Sequence, residues 1–337
     1  MSAVIEIKKA YTPGDVVAYA ILRAVMYLSC ITVALSRGIA NLLDLLVLLL
    51  GIGLVDAVAH VFAKACERFY EPPEFRHPAA LILFVASAMT FILLLFVDIP
   101  YLVYVPLIAM LVFAVRAAYE NIYYSHLWLA YVSLAAASVS ILAVPYINVF
   151  APSIWLLVLA LVARVARIAA LVLSLLLFAY GYLVFDEVKT LLTPYTIGAS
   201  VLGDTAGLAT VLSLFLTMLY VGFAEELFRA VIPLVGAAIS SFIFIMLHVP
   251  SRIAVVLALP NTVSIFAKAY MLVIWLTAIA ILTYIFVKCW RDSGYVGSAL
   301  AHCFYNLLVS LALVNQVYAI ALSVTLALAN AILNRSR

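Results

Sequence analysis

Charge is what this chain has least of. Only 10% of its 337 residues are Asp, Glu, Lys or Arg, where a soluble domain carries about a quarter. That shortage excludes a water-soluble globular domain, which needs polar groups to cover its surface. The 18 basic residues exceed the 15 acidic ones by three, too small an excess for an electrostatic nucleic-acid surface. No nucleic-acid partner is expected. Cysteine is scarce as well: Cys30, Cys66, Cys289 and Cys303 stand apart with no CxxC spacing. Neither a disulfide framework nor a zinc knuckle is therefore expected. Sequence repeats, low-complexity linkers and an HExxH motif are also missing. The start, MSAVIEIKKAYTPGD, is polar, and the first apolar run after it is membrane-length. No cleavable signal peptide is expected, and that run should remain as the first span.

What is present is hydrocarbon: 69% of the residues are hydrophobic. Apolar runs recur from end to end, and about 20 residues suffice to cross a bilayer. Candidate spans are Val16–Ser36, Ala40–Ala63, Pro78–Val97, Ile99–Val115, Leu127–Ile147 and Ile154–Phe185. After them come Thr205–Leu234, Ala237–Leu247, Val263–Val287, Tyr295–Val314 and Val317–Leu333. Inside lipid such runs must be helical, because each unpaired backbone group there costs several kcal/mol. The expected fold is an all-α, polytopic integral membrane bundle of roughly ten transmembrane helices. The expected location is the cell membrane, multi-pass, with the lipid bilayer as the surrounding partner.

Polar punctuation separates the runs. The longest charged loop is Lys64–His77, followed by Arg116–His126, DEVK, KCWRDSG and the tail NRSR. If the first four spans alternate, Lys8, Lys9, Lys64, Arg68, Arg76 and Arg116 share one side, which suggests a cytoplasmic N-terminus. Arg252–Pro260 reads as a short re-entrant piece or a loop, which leaves the topology of the C-terminal third open. Two parts are expected: N-terminal transmembrane helices over 1–150, and a functional core over 151–337. The first part holds few intramembrane polar groups, namely Asp44 and the pair Asp56/His60 at i,i+4. These are expected to stabilise one another or a neighbouring helix. Arg164 and Arg167, within a very long apolar run, mark a break or an interfacial stretch.

Three clusters in the second part point to chemistry. They are Glu225-Glu226-Leu-Phe-Arg229, Phe244-Ile-Met-Leu-His248 and His302-Cys-Phe-Tyr-Asn306. A charge near the centre of a membrane helix costs at least about 2.5–3.5 kcal/mol, so such groups face a cavity or each other. Glu225 and Glu226 precede Arg229 by four and three residues, so either can pair with it. His302 and Asn306, at i,i+4, share a helix face. Pro233 and Gly236 form a plausible turn. Glu225 lies eleven residues before Gly236 and His248 twelve after it, so a hairpin would set both about 16–18 Å from the turn. Singly, each cluster reads as helix packing; their ordered co-occurrence points to a site.

The ordered set EExxR, FxxxH and HxxxN resembles the CPBP family. That family comprises the CAAX prenyl endopeptidases and their bacterial and archaeal Abi relatives, which include bacteriocin-processing and immunity proteins. The resemblance covers about Thr205 to Val314, and its motifs are individually loose but fairly specific as an ordered set. It implies an all-helical intramembrane protease in which Glu225 and His248 activate water while His302 and Asn306 bind the oxyanion. Some members are described as metalloproteases, which implies Glu225, His248 and His302 as ligands for zinc or another divalent metal. The implied substrate is a peptide or protein within the membrane, a prenylated CAAX-type end being one that the family suggests. One departure concerns the first motif, which is EExxxR in the family and EExxR here. Aligned on Phe228-Arg229, the catalytic position becomes Ala224 and Glu225 becomes the arginine's partner. Aligned on the carboxylates, Glu225 is the base and Glu226 pairs with Arg229. The second register is favoured, because a long guanidinium stem absorbs a one-residue change that a water-activating carboxylate cannot.

Two readings from other classes stand beside the protease. A non-catalytic membrane chaperone or immunity factor of the same fold would suit the Ala224 register. An ion-coupled transporter would use Glu225, Glu226, His248 and His302 as a relay. The transporter calls for inverted repeats and a matching polar set in 1–150, which the sequence does not display.

Overall fold

The computed structural model describes residues 13–39, 41–69, 127–163, 166–192, 237–314 and 316–335, with short pieces within 83–112 and 214–226. Every regular element among the described residues is helical. Among the described residues, four helices are long and apolar enough to cross a membrane: Tyr19–Ser36, Leu42–Cys66, Ala237–Leu257 and Ile265–Ala312. The pair Arg167–Leu183 and Phe185–Leu192, bent by 86°, makes five if it counts as one span. Most of the expected spans Pro78–Val97, Ile99–Val115 and Thr205–Leu234 lies outside the described residues.

Helix Leu42–Cys66 shows how local chemistry sets a boundary. Asn41 caps it, its side-chain oxygen accepting from the Leu43 N–H at 2.9 Å. Asp44 falls in the first turn, where the helix dipole favours a negative charge. Asp44 thus belongs to a helix start, not to a span interior.

Two expected spans are interrupted. Leu127–Ile147 yields the helix Trp128–Ser140, which tightens into a 3-10 turn at Ile141–Ala143. Pro145 follows, and a residue before proline avoids the α region; Val144 accordingly is extended, at φ −91° and ψ 110°. The run Ile154–Phe185 is likewise not one span. Helix Ala151–Val162 ends, Ala166 takes φ 62°, and helix Arg167–Leu183 begins. The two helices pack on each other. Ser153 Oγ donates to the Ser174 carbonyl and Ser174 Oγ to the Ser153 carbonyl, both at 2.8 Å. The interval between the helices lies midway between those serines, so the pair is an antiparallel hairpin. The arginine-marked break falls where the sequence places it. Helix Ala151–Val162 has 12 residues, or about 18 Å, which is too short to cross a bilayer core of about 30 Å.

The element Ile265–Val314 is two helices joined at a sharp turn. Gly294, at φ 71° and ψ 179°, breaks it into arms 265–293 and 295–314. His302 follows Phe286 by 302 − 286 = 16 residues, which an unbroken helix would set about 24 Å apart. Their rings instead stack, with centroids 4.6 Å apart. Gly294 stands midway between them, so the second arm folds back along the first. At the same end Tyr131 hydrogen-bonds Asp292, and Trp128 packs on Phe304.

The core runs through the whole molecule. One cluster of buried apolar residues extends from Cys30 to Leu326. Helix Leu42–Cys66 packs on the Ile265–Val314 hairpin and on helix Ala237–Leu247. At Gly51 the approach is close: a Cβ there would stand 3.0 Å from the Ala269 Cβ. The boundary expected near residue 150 is therefore not a packing boundary.

The polar groups of the first part are tied to a neighbouring helix. Asp56 accepts from Arg23 Nη2 at 2.6 Å and from the Tyr27 hydroxyl at 3.3 Å. His60 Nδ1 lies 3.0 Å from the Tyr19 hydroxyl. Arg23 also lies over the Phe242 ring, 5.2 Å from its centroid. Helix Pro13–Ser36 is thus held to its neighbours by ion-pair, hydroxyl and cation–π contacts. Arg23, a residue not among the sequence candidates, joins the set.

Gly294 occupies a backbone region that is essentially glycine-only. Gly294→Ala is expected to destabilise the protein by about 1–3 kcal/mol, read as a lowered melting temperature in detergent. Gly53, a mid-helix glycine at which an added Cβ would meet nothing within 4 Å, is the control. Gly53→Ala is expected to leave stability unchanged or slightly raised.

Candidate active site

The helical piece at 221–226 meets the second arm, 295–314, at unusually close range. A Cβ on Gly222 would stand 2.7 Å from the Cys303 nitrogen and 2.8 Å from the Ala299 carbonyl oxygen. Both are backbone atoms that cannot swing away, so only glycine permits this approach. Tyr295 adds a second fastening, its hydroxyl donating to the Phe223 carbonyl at 3.1 Å. Together these contacts place the two glutamates against the second arm.

The carboxylates then find different surroundings, because successive helix residues point about 100° apart. Glu226 has no exposed surface. Its Oε1 lies 2.9 Å from His302 Nδ1, and its Oε2 accepts from Ser298 Oγ at 2.6 Å. Ser298 and His302 are one turn apart on the same arm, so they reach the same partner. Glu225 is about one-third exposed, with Oε2 3.4 Å from His302 Nε2. One imidazole thus stands between two carboxylates, one sealed and one open. Phe286, from the first arm, stacks on the His302 ring at 20° between planes. Its carbonyl oxygen lies 2.9 Å from Ser298 Oγ.

Asn306 sits one turn beyond His302, half-buried on the same arm. His248 stands at the joint between helices Ala237–Leu247 and Val249–Leu257, with Pro250 just inside the second. Its Nδ1 lies 2.8 Å from the Phe244 carbonyl, and its ring is 4.9 Å from that of Phe244. The structure therefore brings together Glu225, Glu226 and His302, while the contacts described for His248 are local. Arg229, Ala224 and the turn expected at 233–236 lie outside the described residues.

Four contributors were missed in the sequence: Gly222, Tyr295, Ser298 and Phe286. Ser298 was legible, because Ser298, His302 and Asn306 recur every fourth residue and form one polar stripe on an apolar helix. Phe286 was not, since only the fold at Gly294 sets it against His302.

Among the described residues, no three His, Cys, Asp or Glu side chains group as a metal site. His302 Nδ1 is engaged by Glu226, and its Nε2 faces Glu225.

Comparison with protein-family models, with curated proteins and with solved structures found no match.

Two substitutions test this geometry. Gly222→Ala is expected to push the 221–226 helix off the second arm and cost about 1–3 kcal/mol. Glu226→Ala removes the carboxylate partner of the buried His302 Nδ1, while Ser298 keeps the Phe286 carbonyl, an expected loss of about 1–3 kcal/mol. Thermal unfolding of the purified protein in detergent measures both; wild-type stability in either would contradict the packing described.

Proposed function

We propose that the chain is an intramembrane endopeptidase that hydrolyses peptide bonds of membrane-associated substrates with a carboxylate-activated water. It is a multi-pass protein of the cell membrane with about ten transmembrane helices. The apolar runs at 78–97, 99–115 and 205–234 add to the membrane-length helices already described. The resemblance to the CPBP endopeptidases supports the class of reaction, and a prenylated CAAX-type peptide is the first substrate to try.

The observation that carries this reading is the unequal pair of glutamates on one imidazole. Glu226 is sealed and held at both oxygens, whereas Glu225 keeps about a third of its surface open beside His302 Nε2. A base must reach water, and a fixed anion must not move. Glu225 takes a proton from water as the water oxygen bonds to the scissile carbonyl carbon. The negative charge passes to the carbonyl oxygen, where the Asn306 amide donates a hydrogen bond without adding a buried charge. Donors of this kind are worth about 2.7–4 kcal/mol in the transition state. The carbon–nitrogen bond then breaks, and the departing amine receives the proton held by Glu225. His248 is the second water-facing candidate, and Arg229 orients the glutamate pair.

A second reading has one observation in its favour. Tyr19, Arg23, Asp56, His60 and Phe242 form a polar cluster involving the first part, which an ion-coupled transporter requires. Proton flux into liposomes no faster than in protein-free vesicles would remove it.

The endopeptidase is tested with full-length protein in detergent and peptides with and without a prenylated C-terminus. Wild type is expected to cleave, and Glu225→Gln to lower kcat by about a hundredfold or more with an unchanged melting temperature. Undiminished cleavage by Glu225→Gln overturns the assignment of the base. No cleavage by wild type favours the non-catalytic membrane chaperone or immunity relative instead.

A further inference from the structure

Ser298 is fully buried, and its hydroxyl has one hydrogen and two acceptors within reach. Glu226 Oε2 is 2.6 Å away and the Phe286 carbonyl oxygen 2.9 Å. The shorter contact lies in the range of a hydroxyl donating to an ionised carboxylate, about 2.5–2.7 Å. With Glu226 ionised, its Oε1 can only accept. His302 Nδ1, 2.9 Å from that oxygen, must therefore supply a hydrogen, since two lone pairs at that distance would repel. In the neutral ring a hydrogen on Nδ1 leaves Nε2 bare, and Nε2 faces Glu225 Oε2 at 3.4 Å.

We propose that Ser298 is a positioning residue: by holding Glu226 it fixes His302 with hydrogen on Nδ1 and a bare Nε2 aimed at Glu225. The grip has two points, because Ser298 and His302 lie one turn apart and each takes one carboxylate oxygen. The stacked Phe286 ring sets the imidazole plane. Without Ser298 the Glu226 carboxylate loses one of its donors, and its hold on the His302 tautomer loosens. The consequence for chemistry rests on the endopeptidase reading. Nε2 accepts the proton that Glu225 took from water, the Nε2–H bond forming as the Glu225 O–H bond breaks. The reverse transfer returns that proton to the departing amine through Glu225. This gives His302 a role as proton acceptor beside the base, distinct from an oxyanion donor.

The full-length protein, with histidine labelled by nitrogen-15, is studied in detergent by proton–nitrogen correlation spectra, and His302 is assigned by its loss in His302→Gln. Wild type is expected to show the Nδ1–H tautomer wherever the ring is neutral. The opposite tautomer, or an imidazolium persisting to the alkaline limit of stability, overturns the proposal. Ser298→Ala is expected to give a mixture of tautomers, and Ser298→Thr, which keeps the hydroxyl, to restore the wild-type signal. Ser298→Ala retaining the pure Nδ1–H form also overturns it. In the cleavage assay Ser298→Ala is expected to lose on the order of tenfold to a hundredfold in kcat with KM unchanged, and Ser298→Thr to recover. If wild type cleaves nothing, the endopeptidase reading falls, and the tautomer spectra still decide the role of Ser298. If Ser298→Ala does not fold, the wild-type and Ser298→Thr spectra decide it.

Discussion

A carboxylate with no exposed surface, on a helix made of hydrocarbon, must be solvated by protein. Glu226 is in that position, and much of the C-terminal architecture can be understood as meeting its demand. Its donors come from Ser298 and His302 on the second arm of the Ile265–Val314 hairpin. They reach it only because Gly222 lets two backbones touch and Tyr295 fastens the Phe223 carbonyl. The arm lies alongside Phe286 only because Gly294 turns it back. Each of these local features is a condition for one hydrogen-bonded charge, and an ion left without such partners in a dry interior costs several kcal/mol.

The same medium is handled differently at the two polar clusters. Near the first helix, Arg23 and Asp56 bring opposite charges together, with Tyr27 as a further donor. That arrangement closes on itself, and its simplest work is to hold two helices in register. At the second cluster, one imidazole faces two carboxylates among the described residues. Only one of the two can have the closer nitrogen and the serine as well. The other keeps a longer contact and a share of exposed surface. An asymmetry of this kind leaves one acid fixed and the other available, which suits acid–base work better than structural pairing.

Helix interruptions shape the fold around these clusters. The break between Val162 and Arg167, the bend after Leu183, the joint at His248 and the turn at Gly294 convert long apolar runs into short, reversed segments. Hydropathy sees only that each run is apolar. It cannot distinguish one long span from two shorter helices lying side by side. Arg164 and Arg167 signalled the first interruption, because charged pairs are expensive within a span. Pro145 gave the end of helix Trp128–Ser140 through its steric effect on Val144. Ala166, in a left-handed conformation without a glycine to announce it, left no such mark.

Composition by itself determined that the chain is helical and built for lipid, since an apolar backbone has few other ways to satisfy its amides. Spacing along the chain was enough to single out Glu225, Glu226, His302 and Asn306, because a charge in hydrocarbon is conspicuous and helical periodicity predicts which neighbours share a face. What spacing could not reveal was which partner each would choose. Glu226 was expected to lean on Arg229, a position outside the described residues; the described structure adds Ser298 and His302 as its partners, about seventy residues along the chain. The division between a sealed and an open glutamate, and the placing of Phe286 on His302, were decided only in the tertiary structure. The reason is geometric: those contacts join segments whose separation is set by a backbone turn at Gly294 and a helix approach at Gly222, and neither is encoded in the periodicity of the segments they join.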